Sequence, residues 1–458
     1  MRRLARISLL VLAGCAAPVT YQRPPVELPV AWKESAPRFA ADGRWWKIYQ
    51  DIDLEKLIEE ALQGNGDLLV AAARVDEARA LLGEAQSVLL PRVDAQASAT
   101  RQRTSERTAF SFPGIRHEYP DYRATLNVSY EVDLFGRLAA GAEAARAELA
   151  ASEASREAVR LALAAQVAKS YFALRSLDEQ AELTRRTVSL REDALALQRK
   201  RYGAGLLSQF ELHQLEAETA VVRAQLPPLE REREREESAL GVLLGRTPAD
   251  VLERKITPQD REPGMHAPVV PAGLPSELLL RRPDLVDAER RLAAANARVA
   301  IARTEMFPSI SLTAALGAES AALGSLFSGP AGLWLLGAAI AQPIFSGGRS
   351  EARTAAAEAR ERAALAQYVQ AIRSAFGEVR SALAVQSRAR ESFMAESARA
   401  AALSDTLRLA RLRYDNGIAS QLDVIDAERG LLAARIARIE ALRAQRTAIA
   451  DLFRALGG

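Results

Sequence analysis

The sequence is built twice from a similar unit, and this duplication constrains the fold more than any other feature. Three blocks of the sequence occur twice, in the same order. Residues 67–91 correspond to 284–308, and residues 134–137 correspond to 344–349. The third, the Arg-Tyr block, is Arg201-Tyr202-Gly203-Ala204-Gly205, which corresponds to Arg413-Tyr414-Asp415-Asn416-Gly417, and Ser-Gln follows both copies at 208–209 and 420–421. A unit of roughly 210 residues that occurs twice predicts two halves with the same order of elements.

Each half is predicted to begin with a helix and a β-hairpin. Helices over 68–90 and 285–307 end before a proline, which cannot continue a helix and pushes the preceding residue towards extended geometry. Residues 123–134 alternate strictly between polar and apolar side chains, which is typical of a half-buried strand. The predicted strands are 92–104, 120–134, 308–320 and 332–344, the last of them apolar on both faces. The two hairpins therefore span 92–134 and 308–344.

A very long helical hairpin is predicted after each β-hairpin. Residues 138–201 and 350–413 contain no proline, and their apolar side chains recur every three or four residues, as in a coiled coil. Each run of about 64 residues would be about 95 Å long as one helix. Gly205 and Gly417 are then expected to supply turns with positive φ, after which shorter helices run back. The tip segments of the hairpins are 201–211 and 413–426.

The first residues predict export and lipid attachment. A positively charged start is followed by a short apolar run, so residues 1–14 are predicted to be a signal peptide. Leu12-Ala13-Gly14-Cys15 resembles the bacterial lipobox, which predicts a lipidated Cys15 as the mature N-terminus. Cys15 is the only cysteine, so no internal disulfide is possible. The alternative is a cysteine that merely ends an apolar stretch. No other segment has the about 20 apolar residues of a membrane helix.

Four strands per chain are too few to close a membrane structure. An open sheet edge in lipid leaves backbone N–H and C=O groups without partners, which is strongly unfavourable. Three chains supply twelve strands and an allowed barrel, whereas two chains supply eight strands and an interior filled by side chains. We therefore predict an α+β membrane protein. Its homotrimer would form a 12-stranded β-barrel that continues into a long periplasmic α-helical barrel.

Domain boundaries follow from the duplication. The predicted segments are a lipid-anchored N-terminal segment (15–60), the first repeat (61–246), a Pro- and Gly-rich linker or equatorial segment (247–282) and the second repeat (283–458).

Composition and the histidines argue against several other functions. Lys and Arg number 61 against 58 Asp and Glu, and this balance gives no electrostatic basis for nucleic-acid binding. His117, His213 and His266 are far apart in the predicted plan, so they do not suggest a catalytic or metal site. We expect no enzyme activity and no cofactor other than the covalent lipid on Cys15.

Several motifs of this chain match motifs at corresponding positions in a known family of channels. They are Tyr21-Gln22-Arg23-Pro24 behind the lipobox, Trp45-Trp46, Arg281-Arg282-Pro283-Asp284-Leu285, the alanine-rich helices and the paired Arg-Tyr tips. Over nearly the whole chain they resemble the outer membrane factor family of TolC-like efflux channels, in its lipidated OprM/NodT-like branch. The resemblance implies the outer-membrane channel of a tripartite efflux pump, a passive exit duct for drugs or other toxic small molecules. It also implies two partners, a periplasmic adaptor and an inner-membrane pump of the resistance-nodulation-division type.

The tips contain the candidate gate. Asp423 and Asp426 are three residues apart and share a helix face, so three chains would place them in two stacked carboxylate rings. The resemblance puts such aspartates at the periplasmic constriction; the alternative is an ordinary solvated helix face. It also implies that Tyr414 binds an acid of the other repeat, which corresponds to Glu211. Some family members carry an arginine where Ala419 stands, so the closed state is expected to be held differently here.

The tip turns themselves are the predicted docking region for the adaptor. The residues concerned are Arg201, Tyr202, Gly205, Arg413 and Gly417.

Two other functions fit parts of the sequence. The first is the outer-membrane channel of a type I protein-secretion system, which would share the architecture. The second is a periplasmic coiled-coil scaffold lipoprotein without a pore, although a scaffold has no need of the alternating strand at 123–134. In either channel, the protein is expected in the outer membrane, with most of the chain in the periplasm.

Overall fold

The computed structural model describes residues 21–24, 43–107, 116–253, 256 and 282–458. The signal peptide, Cys15, Arg281 and His266 lie outside these residues. The described helices are α1 (Ile52–Gly64), α2 (Gly66–Ser87), α3 (Arg137–Gly203), α4 (Gln209–Leu243), α5 (Pro248–Glu253), α6 (Pro283–Thr304), α7 (Arg349–Asp415) and α8 (Gln421–Leu456). The strands are β1 (Arg92–Arg103), β2 (Glu118–Val132), β3 (Ser309–Ser320) and β4 (Gly332–Ala341).

The four strands form one antiparallel sheet in the order β1-β2-β3-β4, with β1 and β4 at its edges. One row across it joins Val93, Val128, Ala314 and Leu336, and neighbouring rows on that face are equally apolar. The opposite face of β1, β2 and β3 carries polar side chains, because side chains alternate along each strand. Apolar side chains on the first face stay exposed in the single chain: Leu316 is 64% and Trp334 is 75% exposed. The sheet therefore needs an apolar environment on one side and has two unpaired edges.

The predicted strands are all present, with small changes at their ends. The fourth segment, which is apolar on both faces, is a regular strand that stops at Ala341, three residues before its predicted end. Pro343 has no N–H group to extend the ladder of hydrogen bonds. Likewise α2 and α6 end three residues before the predicted boundaries, at Ser87 and Thr304. Each lies four residues before a proline, which has no N–H group to bond to its carbonyl. The 247–282 segment is not wholly irregular, since α5 occupies 248–253.

The chain divides into two compact units, and each unit contains parts of both repeats. The first includes Arg74–Glu153 and Asp287–Val369, and therefore holds the whole sheet. The second includes Ala154–Val286 and Gln370–Gly458 together with α1. Neither unit coincides with a sequence repeat. The boundary drawn at residue 60 also falls inside α1, which runs from Ile52 to Gly64.

Within the first unit, the helices next to the sheet pack through small side chains and one aromatic pair. Val299, Ala302 and Ala357 form a buried cluster between α6 and α7. Phe135 and Phe307 stack with their ring centroids 4.9 Å apart. Both phenylalanines lie at junctions between strand and helix, so the stacking fixes the places where the chain leaves the sheet.

Within the second unit, the main core lies around the Trp45-Trp46 pair. Both tryptophans are 3% exposed, and Trp45 stacks on Phe453 at 5.4 Å. The Tyr171 hydroxyl donates to Asp51, whose other carboxylate oxygen caps α1. These aromatic residues therefore have a packing role.

The Arg-Arg-Pro-Asp-Leu motif has a structural role in the same unit. The side chain of Arg282 is only 6% exposed, and it donates to Asp284, to Glu378 on α7 and to the carbonyl of Ala455 on α8. A guanidinium with several charge-assisted hydrogen bonds can be buried without a large penalty. Arg282 thus ties the start of α6 to two long helices.

No helix in the described part of the chain is both long enough and apolar enough to cross a membrane.

Candidate functional site

The tips of the two helical hairpins have the same backbone geometry. Hairpin 1 consists of α3 and α4, and hairpin 2 of α7 and α8. Gly205 and Gly417 have φ values of 74° and 72°, in the left-handed region where glycine has no steric penalty. The residue after each glycine donates its N–H to the carbonyl of the arginine that begins the block. Leu206 donates to Arg201 and Ile418 to Arg413, both at 2.9 Å. This is the pattern of a helix that ends in a Schellman-type turn.

A capping box begins each return helix. Ser208 and Glu211 satisfy each other's backbone N–H groups at the start of α4, and Ser420 and Asp423 do so at the start of α8. Hydrogen bonds from the Ser208 backbone and side chain lower the pKa of Glu211, and hydrogen bonds from the Ser420 side chain and backbone lower the pKa of Asp423. Asp423 therefore has a local structural task that the sequence analysis did not assign to it.

The predicted contact between Tyr414 and Glu211 is not formed in the chain. The Tyr414 hydroxyl donates to Gln421 at 3.4 Å, within its own hairpin. Glu211 is occupied by Ser208, whose hydroxyl donates to it at 2.8 Å. In the single chain the capping box holds the Glu211 side chain on its own helix end, so this contact stays a prediction for the closed state of the assembled trimer.

The two candidate gate aspartates are exposed on α8. Asp423 faces solvent apart from its bonds to Ser420, and the side chain of Asp426 is 59% exposed, with Arg429 at 3.4 Å. Their arrangement in rings depends on neighbouring copies, so the gate role stays a prediction. Exposed apolar side chains surround both tips: Tyr202, Leu206, Phe210, Ile418 and Leu422.

Hairpins 1 and 2 are joined by an apolar cluster close to the tips. Leu195, Leu212 and Leu215 of hairpin 1 pack with Ile425 of hairpin 2, and each is less than 10% exposed. Burying four aliphatic side chains stabilises this contact by several kcal/mol, at roughly 25 cal/mol per Å² of apolar surface.

Ion pairs continue the contact away from the tips. Arg429 of hairpin 2 pairs with Glu218 of hairpin 1. Arg191 of hairpin 1 is buried beside them, with one nitrogen 2.9 Å from the Glu218 carbonyl oxygen and its Nε 3.9 Å from the Glu428 carboxylate of hairpin 2. Arg429 thus contacts both the exposed Asp426 and Glu218, and Glu218 in turn contacts the buried Arg191. The sequence analysis missed these contacts.

A comparison of the repeats would have revealed part of this network. The pairs Arg199–Glu216 (2.8 Å) and Arg411–Glu428 (2.7 Å) lie at equivalent positions in the two hairpins. Arg191 and Glu218, in contrast, correspond to Leu403 and Gly430. Two positions that are charged in one repeat and apolar in the other indicate a contact that only the first repeat makes.

Across the described ranges, no group of three or more His, Cys, Asp or Glu side chains is placed to hold a metal ion. His213 lies on the exposed surface of α4, near Glu216.

Comparisons with known proteins agree with this architecture. A profile of the outer membrane efflux protein family matches residues 57–246 and 274–458. The chain is 35% identical to the probable efflux pump outer membrane protein TtgC of Pseudomonas putida, over 99% of this chain and 94% of that protein. It is 33% identical to the probable outer membrane lipoprotein SilC of Salmonella typhimurium, over 100% and 98%.

Solved structures show the same fold. The CmeC outer membrane channel of Campylobacter jejuni superposes with a TM-score of 0.88 at 27% identity, and the match covers 97% of this chain and 95% of that one. The predicted fold class is confirmed for the chain, which is mostly helical with one four-stranded sheet. The family predicted from the sequence motifs is confirmed as well. The chain belongs to the outer membrane efflux protein family and has the fold of its outer-membrane channels.

Proposed function

We propose that this protein is the outer-membrane exit duct of a tripartite efflux pump, a lipid-anchored homotrimer that conducts small molecules and catalyses no reaction. The observation that carries the proposal is the sheet, which has one continuous apolar face, one largely polar face and two unpaired edges. Family membership and the outer-membrane relatives support the location and the efflux role.

The sheet edges argue for assembly with further copies. An edge strand presents unpaired N–H and C=O groups, and these cannot remain so in a bilayer. The β1 edge of one chain can pair with the β4 edge of the next, and three chains then close twelve strands, as the strand count predicts. The apolar face would lie against lipid and the polar face would line the duct.

The polar face suits a permissive duct, because its charged side chains pair with one another. Arg92 lies 3.0 Å from Asp94, Arg123 pairs with Glu319, and Glu131 is paired at 2.7 Å with Arg137 at the start of α3. Paired charges attract neither anions nor cations strongly. Selection by charge is therefore assigned to the tips, where Asp423 and Asp426 are exposed.

The tips are also the proposed docking region for a periplasmic adaptor, which would connect the duct to an inner-membrane pump of the resistance-nodulation-division type. Arg201, Tyr202 and Arg413 lie there beside exposed apolar side chains. The relatives are named for toluene, antibiotic and cation efflux, so we propose no narrower substrate class than small toxic molecules. A lipid on Cys15 would add a second attachment to the membrane; SilC is itself named a lipoprotein.

Cysteine labelling of β2 tests the orientation of the sheet. Ser129→Cys on the polar face should react with a membrane-impermeant thiol reagent that reaches the duct, whereas Val128→Cys on the apolar face should not. The native Cys15 does not interfere if it is acylated. Equal labelling at both positions, or a single chain by mass in gentle detergent, would refute the proposed trimeric duct and favour a scaffold without a pore.

A further inference from the structure

Arg191 is a buried cation whose hydrogen bonds are incomplete. Its side chain is 9% exposed, and two of its three guanidinium nitrogens, Nε and Nη2, are buried without a hydrogen-bond partner among the described residues. Both atoms lie beneath the surface of the single chain, so a neighbouring copy does not reach them. A buried guanidinium in this state is unfavourable relative to one with all its donors satisfied.

Two carboxylates face Arg191. That of Glu218, in its own hairpin, lies 3.5 Å from Nη1 and is paired with Arg429. The carboxylate that can satisfy Nε from hairpin 2 is that of Glu428. It lies 3.9 Å from Arg191 Nε, too far for a hydrogen bond. At the same time, Glu428 is held at 2.7 Å by Arg411 of its own hairpin. Arg411 holds Oε1 of Glu428, whereas Oε2 faces Arg191. A displacement of the whole carboxylate by about 1 Å towards Arg191 would bring Oε2 within hydrogen-bonding distance and draw Oε1 away from Arg411. One carboxylate is thus shared between an arginine in hairpin 1 and an arginine in hairpin 2.

The duplication shows that this sharing is specific to one pair of positions. In hairpin 1 the equivalent pair, Arg199–Glu216, has no buried arginine of the other hairpin beside it among the contacts described. In hairpin 2 the position of Arg191 is taken by Leu403, which packs 3.5 Å from the position of a Cβ on Gly430. The competing arginine therefore acts in one direction only, from hairpin 1 onto hairpin 2.

We propose that Arg191 is a positioning residue of the gate: it competes with Arg411 for Glu428, and transfer of that carboxylate to Arg191 ties hairpin 2 to hairpin 1. Glu428 is two residues from Asp426 on α8, so the tie fixes the part of α8 that carries the gate aspartates. The tied arrangement holds the tips closed, and the arrangement with Glu428 on Arg411 releases them. The inference rests on the proposed channel function.

Competition for one carboxylate predicts opposite effects of two similar substitutions. Arg191→Met removes the tie and should raise the ratio of conducting to non-conducting periods of the purified channel in planar bilayers. Arg411→Met frees Glu428 for Arg191 and should lower that ratio. Each change is expected to be about ten-fold, the size of one charge-assisted hydrogen bond. In a Glu428→Gln background, both effects should shrink to less than about two-fold.

Arg185→Met is the matched control. Arg185 pairs with Glu230 at 2.9 Å within hairpin 1, and both side chains are partly exposed. Its loss should leave the gating ratio unchanged. If Arg191→Met and Arg411→Met change the ratio in the same direction, or if the effects persist with Glu428→Gln, the competition is refuted.

Arg411 is exposed, so its variant carries the test even if Arg191→Met fails to assemble: a ratio that does not fall in Arg411→Met is sufficient to overturn the inference. Wild-type protein that forms no channel in the same bilayers would refute the proposed function instead.

Discussion

At the scale of single residues, Asp423 combines two roles that call for different substitutions. Its carboxylate completes the capping box of α8, and its exposed charge is the candidate for ion selection. Asparagine keeps an oxygen that can accept from Ser420 but removes the charge, whereas alanine removes both. A change in conductance after Asp423→Ala alone would therefore not distinguish the loss of the charge from the loss of the cap on α8.

The combined Asp423→Asn and Asp426→Asn variant is expected to lose most of its cation selectivity and its block by polyvalent cations from the periplasmic side. The physical reason is that rings of like charges attract counter-ions and that two such rings are removed. Reversal potentials in a salt gradient measure the effect, and the unfolding temperature should stay near that of the wild type. Full selectivity in this variant would assign both aspartates to an ordinary solvated face.

The lowered pKa of Asp423 predicts that its charge survives mild acid. The carboxylate is stabilised by Ser420, so the cap is fully present above the ordinary pKa of aspartate and is lost only as pH falls through the lower folded-state value. Cation block should thus change little between about pH 7 and about pH 5. Block that disappears in this interval would contradict the expectation and would indicate that repulsion within the ring outweighs the hydrogen bonds.

Tyr414→Phe is expected to leave conductance and stability close to those of the wild type. The hydroxyl makes one long hydrogen bond of 3.4 Å within its own tip and does not join the hairpins. Bilayer recordings together with thermal unfolding measure both quantities. A marked rise in conductance would show that Tyr414 reaches Glu211 in the assembled closed state after all.

At the scale of elements, each return helix depends on its capping serine. Ser208→Ala and Ser420→Ala each remove the acceptor for an N-terminal N–H group and should destabilise the tip by about 1 kcal/mol. Ser238→Ala, near the C-terminal end of α4, is the control, because its hydroxyl bonds back to the Glu234 carbonyl of the same helix. Hydrogen exchange of the tip amides should accelerate in the two cap variants and not in the control.

The pairing of β2 with β3 depends on Gly317. A Cβ at this position would lie 2.1 Å from the Ala124 carbonyl oxygen and 2.7 Å from Thr125 Cα, both of which are backbone atoms that cannot move aside. Gly317→Ala should cost about 1–3 kcal/mol or more and lower the yield of assembled protein. Gly324→Ala, with open space around it, is the control. Normal amounts of heat-resistant oligomer in Gly317→Ala would show that the strands adjust.

At the scale of the whole molecule, the sheet and the lipid are two independent means of membrane attachment. Cys15→Ser removes the lipid but leaves the apolar face of the sheet, so the protein should remain in the outer-membrane fraction as a trimer. Fractionation and native mass measurement check this, and mass spectrometry of the wild-type N-terminal peptide checks acylation. An unmodified wild-type peptide that runs through Cys15 would refute the lipid anchor.

The sequence determined the elements of this protein and their order. Proline positions set the ends of α2 and α6, strict alternation located β2, and the repeated Arg-Tyr blocks with Gly205 and Gly417 located both tip turns. These signals are local: a missing N–H, a period of two, or a positive φ acts on the few residues around it. For that reason, strand and helix boundaries came within two or three residues. Even the fourth segment, which is apolar on both faces, is a strand, because it follows β3 along the chain and pairs with it as an antiparallel hairpin.

Which side chains meet depends on how the long helices pack against one another. The capping box turned Glu211 away from Tyr414, and packing of hairpin 1 on hairpin 2 brought Arg191 beside Glu428, more than two hundred positions away in sequence. The packing also divides the chain into two compact units, each of which contains parts of both sequence repeats. No local pattern contains this information, because whether an arginine is exposed or buried between two carboxylates depends on the register at which two long helices pack. That register is set by the apolar contacts of Leu195, Leu212, Leu215 and Ile425 acting together.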